Sequence, residues 1–314
     1  MSTEKSPIRD VVMIGAGPAA LTAAIYTTRE EIGTVLYEKA IIGGLAATTD
    51  WVDNYPGYAE GVAGMKLASE LQQQAERFGA EIEFGEVQGI EKSEDTIKLT
   101  TDGGDVYAKA VLIATGSDYR KLGVPGEKEF YSRGVHYCAT CDGAFYNGKR
   151  LVVVGGGNSG VQEALFLTRF ASHIDLVVRS DLRASEVLLR KLEEAGDKIT
   201  VHTQVTTDEI VSEDEKVTGV KITSRKNGES RVIETDGVFV FIGLLPNTAF
   251  LKNSAIECDD VGLIVADENM QTSMPGVFVA GDVRSGATMQ IASAVGDGAT
   301  AALKIREYLE AKND

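Results

Sequence analysis

The sequence has 314 residues, of which 25% are charged and 43% hydrophobic, with a formal net charge of −16. A chain of this length exceeds one small core and predicts two domains, and its ordinary apolar fraction excludes wholesale disorder. The acidic balance argues against nucleic acid or an anionic membrane as partner, and no apolar run reaches the roughly 18 residues of a membrane span.

The chain starts with a polar stretch, Met1 to Asp10, without the features of a signal peptide. Its three cysteines suit a reducing compartment better than a disulfide scaffold, so a cytoplasmic protein is expected. Val11-Val12-Met13-Ile14 is a short continuous apolar run of the kind found in buried parallel strands. It leads into Gly15-Ala16-Gly17-Pro18-Ala19-Ala20 and then into small, apolar residues 21–26, which read as a buried helix. Gly15 permits the tight turn, Gly17 lets the backbone approach a pyrophosphate, and Ala20 keeps helix close to strand. The phosphates would lie at the helix N-terminus, where unpaired N–H groups and the dipole favour anions. A second strand at residues 34–37 ends in Glu38, 23 residues after Gly15, where a carboxylate can accept hydrogen bonds from a ribose. These features predict a first dinucleotide site. Gly43-Gly44 and the turn-rich residues 48–57 are placed as a loop beside a cofactor ring, with Trp51 and Tyr55 not fully exposed. Residues 64–79 have helical spacing, with Leu67, Leu71, Ala75 and Phe78 on one face. Residues 81–111 read as a small antiparallel insertion with a turn at Asp102-Gly103-Gly104, after which residues 111–116 return to the buried-strand pattern.

Cys138-Ala139-Thr140-Cys141-Asp142-Gly143 is the most informative stretch. Two thiols three positions apart can close a small disulfide ring, reopen it by exchange, and leave one of the pair the stronger nucleophile. The competing reading is half a zinc site, whose other ligands would have to come from Cys258, His136, His173 and His202. Shortly after the pair, Leu151-Val152-Val153-Val154, Gly155-Gly156-Gly157-Asn158-Ser159-Gly160 and the helical residues 161–167 repeat the first site. The repeat differs at the next strand end. The position 23 residues after Gly155 is Val178, and Arg179 and Arg183 follow it. Guanidinium groups in place of a carboxylate suit a 2′-phosphate, which predicts NADPH over NADH. Residues 218–222 and 231–234 alternate as a hairpin about Lys226-Asn227-Gly228, residues 239–243 form another buried strand, and Leu245-Pro246-Asn247 leads back to the first domain. Residues 275–282 are a buried strand ending in Asp282, with the first domain as its expected host, followed by Gln290 and a helix of small residues. Asp282 could hydrogen-bond a polyol such as ribityl, or cap that helix. A dithiol between two dinucleotide folds suggests electrons passing from a cofactor to a disulfide. A redox sensor that signals through the same disulfide without turnover is the alternative of a different class.

In this order, Gly15-Ala16-Gly17-Pro18-Ala19, Ala114-Thr115-Gly116, Cys138-Ala139-Thr140-Cys141-Asp142-Gly143, Gly155-Gly156-Gly157-Asn158-Ser159 and Gly281-Asp282 resemble the low-molecular-weight, bacterial-type thioredoxin reductases over essentially the whole chain. The resemblance implies an α/β fold of two Rossmann-like dinucleotide-binding domains of the three-layer ββα type, the second inserted into the first. Residues 1–117 and 247–314 would form an FAD-binding domain, and residues 118–246 an NAD(P)H-binding domain carrying the C-x-x-C. It implies FAD contacts from Gly15, Ala16, Gly17, Pro18, Ala19, Glu38, Gly43, Gly44, Asn54, Thr115, Gly116, Gly281, Asp282 and Gln290. NADPH contacts are implied for Gly155, Gly157, Asn158, Ser159, Arg179 and Arg183, and further cofactor contacts for Val87, Ile242, Gly243 and Ile291. Cys141 would face the flavin, Cys138 would attack the disulfide of thioredoxin or a thioredoxin-like protein, and Asp142 would shuttle a proton. A homodimer without metal is implied as well. The chain departs from the family in Val178-Arg179-Ser180 with Arg183 in place of the usual arginine clamp, in Gly160 for Ala, in Gln162 for Glu and in Leu45 for Gln. NADH or another reductant of the flavin is therefore the alternative donor. A ferredoxin-NADP reductase-like flavoprotein is the alternative enzyme, and such enzymes lack the dithiol.

Overall fold

The structure, a computed structural model, describes residues 8–49, 51–52 and 54–313, with the side chain of Asn313 left aside. Most of the polar start of the chain, and Asp50 and Asp53 of the loop expected beside a cofactor ring, lie outside the described residues. The chain divides into two compact units, Met1–Asp118 with Leu245–Asp314, and Tyr119–Leu244.

The first unit starts with β1 (Arg9–Ile14), α1 (Pro18–Arg29), β2 (Thr34–Glu38), α2 (Gly44–Ala47), α3 (Gly64–Arg77) and β3 (Glu81–Phe84). β4 (Val87–Ser93), β5 (Thr96–Thr101), β6 (Gly104–Ile113) and β7 (Ser117–Tyr119) follow. The continuous apolar run of β1 is explained by burial on both faces. Val11 and Met13 pack with Leu21, Ala23 and Ala24 of α1, whereas Val12 and Ile14 point the other way, toward Ile97 and Leu99 of β5. The sheet order is β3-β2-β1-β6-β5-β4. β3 pairs parallel to β2, so it belongs to the parallel core rather than to the antiparallel insertion expected for residues 81–111. β6 makes the transition between the two parts. Its first residues pair antiparallel with β5, and from Ala108 onward it pairs parallel with β1. The antiparallel strands are thus an extension of the main sheet through one long strand. Trp51 is 46% exposed and Tyr55 is partly buried against Val52, Val62 and Leu67, so neither ring is fully exposed.

The second unit contains β8 (Val135–His136), α4 (Ala139–Asp142), β9 (Arg150–Val154), α5 (Asn158–Leu167), β10 (His173–Val178), α6 (Glu186–Glu194) and β11 (Ile199–Thr203). It continues with β12 (Val205–Glu213), β13 (Lys216–Ser224), β14 (Ser230–Glu234) and β15 (Gly237–Val240). A parallel sheet in the order β11-β10-β9-β15-β8 is accompanied by an antiparallel sheet, β12-β13-β14. The face alternation recurs: Leu151 and Val153 pack on Val161, Ala164 and Leu167 of α5, and Val152 and Val154 on Val220 and Ile222 of β13.

The chain returns to the first unit through β16 (Leu244–Pro246), which pairs with β7, and ends with β17 (Val277–Val279) and α7 (Ile291–Asn313). β17 joins the first unit's sheet parallel to β6, in the register Val277↔Val111. No helix among the described residues is long and apolar enough to cross a membrane. α7 lies close against α1 because it carries glycine at 298: a Cβ there would sit 2.2 Å from the carbonyl oxygen of Ala19. Neither backbone can yield cheaply. Gly298→Ala is expected to destabilise the protein by about 1–3 kcal/mol, read as a lower denaturation midpoint at unchanged denaturant slope.

Candidate active site

The β1–α1 turn lines a cavity of about 270 Å³ in the first unit. Gly15, Gly17, Pro18, Ala19, Glu38, Gly44, Thr115, Gly116, Gly281, Asp282, Gln290 and Ile291 all border it, so most of the first-site residues picked from sequence converge. Val87 borders a second cavity of about 160 Å³, which shares Gly15, Glu38, Lys39, Thr115 and Asn247 with the first. Ala16 and Gly43 line neither. The Gly43 N–H donates to the Ala16 carbonyl at 2.7 Å, so this pair braces the wall from behind. Asn54 sits with residues 55–59 at a shallow depression, and its amide donates to Gln290 Oε1 at 3.0 Å.

A dinucleotide fits this site. Gly17 and Gly116 border the cavity, and a Cβ on either would meet nothing within 4 Å, so backbone is open to a ligand at both. α1 has no side-chain cap, and Pro18 at its start leaves the first-turn N–H groups for an anion. Glu38 has a structural duty that its spacing did not disclose. Oε2 accepts from the Ala16 N–H and Oε1 from the Ala40 N–H, both at 2.8 Å, which pins the turn and leaves lone pairs for ribose hydroxyls.

Asp282 is shaped by residues that sequence reasoning missed. Asp297, buried on α7, accepts from the Gly281 N–H and from Arg284, and so holds the turn that contains Asp282. Asn247 and Thr115 exchange side chain-to-backbone hydrogen bonds of 3.0 and 2.8 Å at the cavity wall. The available signal was a single acid in the small, apolar residues 291–303 that begin α7, and an Asn just after a strand-terminal Pro. Burial, with the charge of Asp297 adding to it, pushes the Asp282 carboxyl up to about 6.

In the second unit, Gly155, Gly157, Asn158 and Ser159 form the β9–α5 turn. A Cβ at Gly160 would lie 2.4 Å from the Gly155 carbonyl oxygen, so glycine is the residue that fits there. Gly157 and Gly243 are open, with nothing within 4 Å of a Cβ, as backbone facing a ligand should be; Ile242 lies beside Gly243 just beyond β15. Val178 ends β10. Arg179 and Arg183 lie in the exposed loop before α6. The Arg183 N–H donates to the Gly156 carbonyl at 2.7 Å, and Arg225, which the sequence did not single out, donates to the Arg179 carbonyl at 3.1 Å. Arg179, Asp181 and Arg183 thus share one loop, and the Arg225 guanidinium reaches its backbone.

Cys138 and Cys141 form a disulfide, with S–S 2.06 Å. The Cys141 N–H points at Cys138 Sγ at 3.2 Å, because Cys138 stands at the N-cap of α4. His136 and Asp142 approach within 3.1 Å, whereas His173 and His202 flank Asp175 on β10. Burial works to raise the Asp175 carboxyl, but the His202 hydrogen bond and the charges of His202, His173 and Arg150 outweigh it and hold it low. Among the described residues, no group of His, Cys, Asp and Glu could hold a metal ion, and Cys258 is an exposed free thiol.

A carboxyl whose pKa rises on folding contributes stability below its unfolded value, about 4, that is lost as pH rises through about 6. Asp282→Asn is therefore expected to make the flavin-free protein more stable than wild type at pH 7.5 by about 1–3 kcal/mol. The gain should shrink toward pH 4 when thermal unfolding is followed across that range.

The description of the pyridine nucleotide-disulphide oxidoreductase family matches residues 9–298. A thioredoxin reductase of Bacillus subtilis is 42% identical over 99% of this chain and 97% of its own length. Another, from Listeria monocytogenes, is 41% identical over 99% and 96%. The crystal structure of thioredoxin reductase from Streptococcus pyogenes superposes with a TM-score of 0.92 at 41% identity, covering 98% of this chain and all of that one. These likenesses agree with two Rossmann-type α/β domains. The chain belongs to the pyridine nucleotide-disulphide oxidoreductase family, which implies a flavin and a nicotinamide cofactor.

Proposed function

We propose that the protein is a thioredoxin reductase that carries electrons from NADPH through FAD to the Cys138–Cys141 disulfide and on to the disulfide of thioredoxin or a thioredoxin-like protein. The observation that carries this reading is the redox-type pair, already joined as a disulfide, in a chain whose two units each present an open glycine turn. FAD is assigned to the first unit, held at Gly15, Gly17, Glu38, Thr115, Asp282 and Gln290, and the nicotinamide to the second, held at Gly155, Gly157 and the 179–183 loop. We take the working form to be a cytoplasmic homodimer, as the family resemblance implies.

A bound flavin supplies a two-electron relay between the nicotinamide and the disulfide. The protein's own residues do the rest. Reduction breaks the S–S bond into two sulfurs that need protons, and Asp142 stands next in sequence to give one. The Cys141 N–H, 3.2 Å from Cys138 Sγ, favours the thiolate at Cys138, which suits Cys138 for attack on the partner. That attack forms a mixed disulfide and releases one partner thiolate. Cys141 then attacks Cys138 Sγ, closing the ring again and releasing the second partner sulfur.

NADPH is favoured by Arg179, Arg183 and Arg225, and by the absence of a carboxylate at Val178. NADH is the second reading, favoured by Asp181 in the same loop, whose charge opposes a 2′-phosphate. Anaerobic reduction of the flavin by each nucleotide separates the two. NADPH is expected to bleach it faster, and Arg179→Ala or Arg183→Ala to raise KM for NADPH roughly tenfold with NADH unaffected. Equal bleaching by both would remove the arginine assignment. Cys138→Ser is expected to keep flavin bleaching but lose disulfide reductase turnover by roughly 100-fold or more. Full turnover in that variant, or a purified protein without flavin, would overturn the function.

A further inference from the structure

His136 is 5% exposed and ends β8, two residues before Cys138. Its ring stacks on Phe239 with centroids 5.1 Å apart and meets Tyr146 edge-on at 5.3 Å, so packing fixes its orientation. Nε2 lies 2.7 Å from Tyr146 Oη. Nδ1 lies 3.1 Å from Asp142 Oδ2. That approach is close enough for an ion pair, yet too oblique for a good hydrogen bond, and Nδ1 is sealed from solvent. A buried ring nitrogen is costly to leave without a partner, and a small rotation of the neighbouring carboxyl would complete the bond.

Asp142 and Tyr146 together set which ring nitrogen holds the proton. Burial, with the charges of Asp142 and Asp236 adding to it, pushes the Tyr146 phenol up to about 12. A carboxylate oxygen only accepts, so the tautomer that suits Asp142 carries its proton on Nδ1, and Nε2 then accepts from the Tyr146 hydroxyl. Phe239 covers the ring face. The titratable groups set against His136 among the described residues are Asp142 from α4 and Tyr146 from the turn after it, with Asp236 acting on Tyr146.

We propose that His136 is the positioning residue of Asp142: through Nδ1–H, oriented by Tyr146, it aims the carboxyl at the Cys138–Cys141 pair. The inference rests on reading that pair as the redox centre of a disulfide reductase. Two electrons entering the S–S bond give two thiolates; Asp142 protonates one, solvent the other, and solvent then reprotonates Asp142. When the dithiol passes its two electrons to the partner disulfide, the partner's sulfurs take up the two protons given up by the pair. The Nδ1–H donor stays with the carboxylate that is left once Asp142 has given its proton to the thiolate.

The test follows Asp142 itself. In flavin-loaded protein carrying 13C-carboxyl aspartate, the Asp142 signal is the one lost in Asp142→Asn, and its titration midpoint is read by NMR. His136→Phe, which keeps the ring packing, is expected to raise that midpoint by about one pH unit. His136→Asn, whose amide N–H can stand where Nδ1–H does, should restore it to within about 0.3 unit. An unmoved midpoint in His136→Phe, or one equally displaced in His136→Asn, overturns the proposal. Wild-type turnover with thioredoxin is measured alongside. If wild type shows none while the midpoints move as expected, the functional reading fails and the positioning role stands; if wild type turns over and the midpoints do not move, the positioning role alone fails.

Discussion

The approach of α7 to α1 at Gly298 sets the distance between the end of the chain and the turn near its start, since a Cβ at 298 would collide with the Ala19 carbonyl oxygen. Much of the first unit's cavity depends on that distance. Gly281 also lies against Ala19, and its added Cβ would come within 3.1 Å of the Ala19 methyl. Asp297, the residue before Gly298, accepts from Gly281 and Arg284. One tight helix contact thus carries the buried carboxylate that holds the 281–284 turn, and through it the placement of Asp282. Burial that stabilises the helices is the same burial that raises the Asp282 carboxyl, so packing and site chemistry are not separable here.

The two units share a plan and differ where their turns are tied. In the first, the Glu38 carboxylate reaches back to two backbone N–H groups and presents negative charge to the cavity. In the second, Val178 occupies the strand end, and the turn is tied by the Arg183 N–H to the Gly156 carbonyl. A Cβ at Gly156 would come within 2.3 Å of Val178 Cγ1, so the side chain that replaces the acid also presses on the glycine turn. The same backbone geometry is therefore finished with a carboxylate in one unit and without one in the other.

Much of this was legible in the sequence. Parallel strands buried on both faces leave continuous apolar runs, glycine turns keep fixed spacing, and the C-x-x-C is local, so β1, β9, both turns and the dithiol could be read directly. The parallel pairing of β3 was not legible. A four-residue strand with alternating polarity looks the same whichever neighbour it joins, and only the long β6 shows how the sheet continues. His136 was visible only as one of three histidines; its role depends on Tyr146 and Asp142, brought to it by the short turns after Cys138. Asp297 and Arg225 were hidden for the same reason, since their partners lie far away in sequence.

The first unit's split composition bears on how the protein is made. β17 pairs with β6, and Gln290 with Asn54, so a cavity begun by β1 and β2 is closed by residues synthesised more than 200 positions later. The second unit is continuous and can fold while the rest is still being translated. Closure of that cavity is then a late event that waits for residues 277–290, and any stabilisation that ligand binding gives there falls only to chains that have reached them. Until then, β6 presents an open sheet edge where β17 will dock, which is the nascent chain's point of exposure to mispairing.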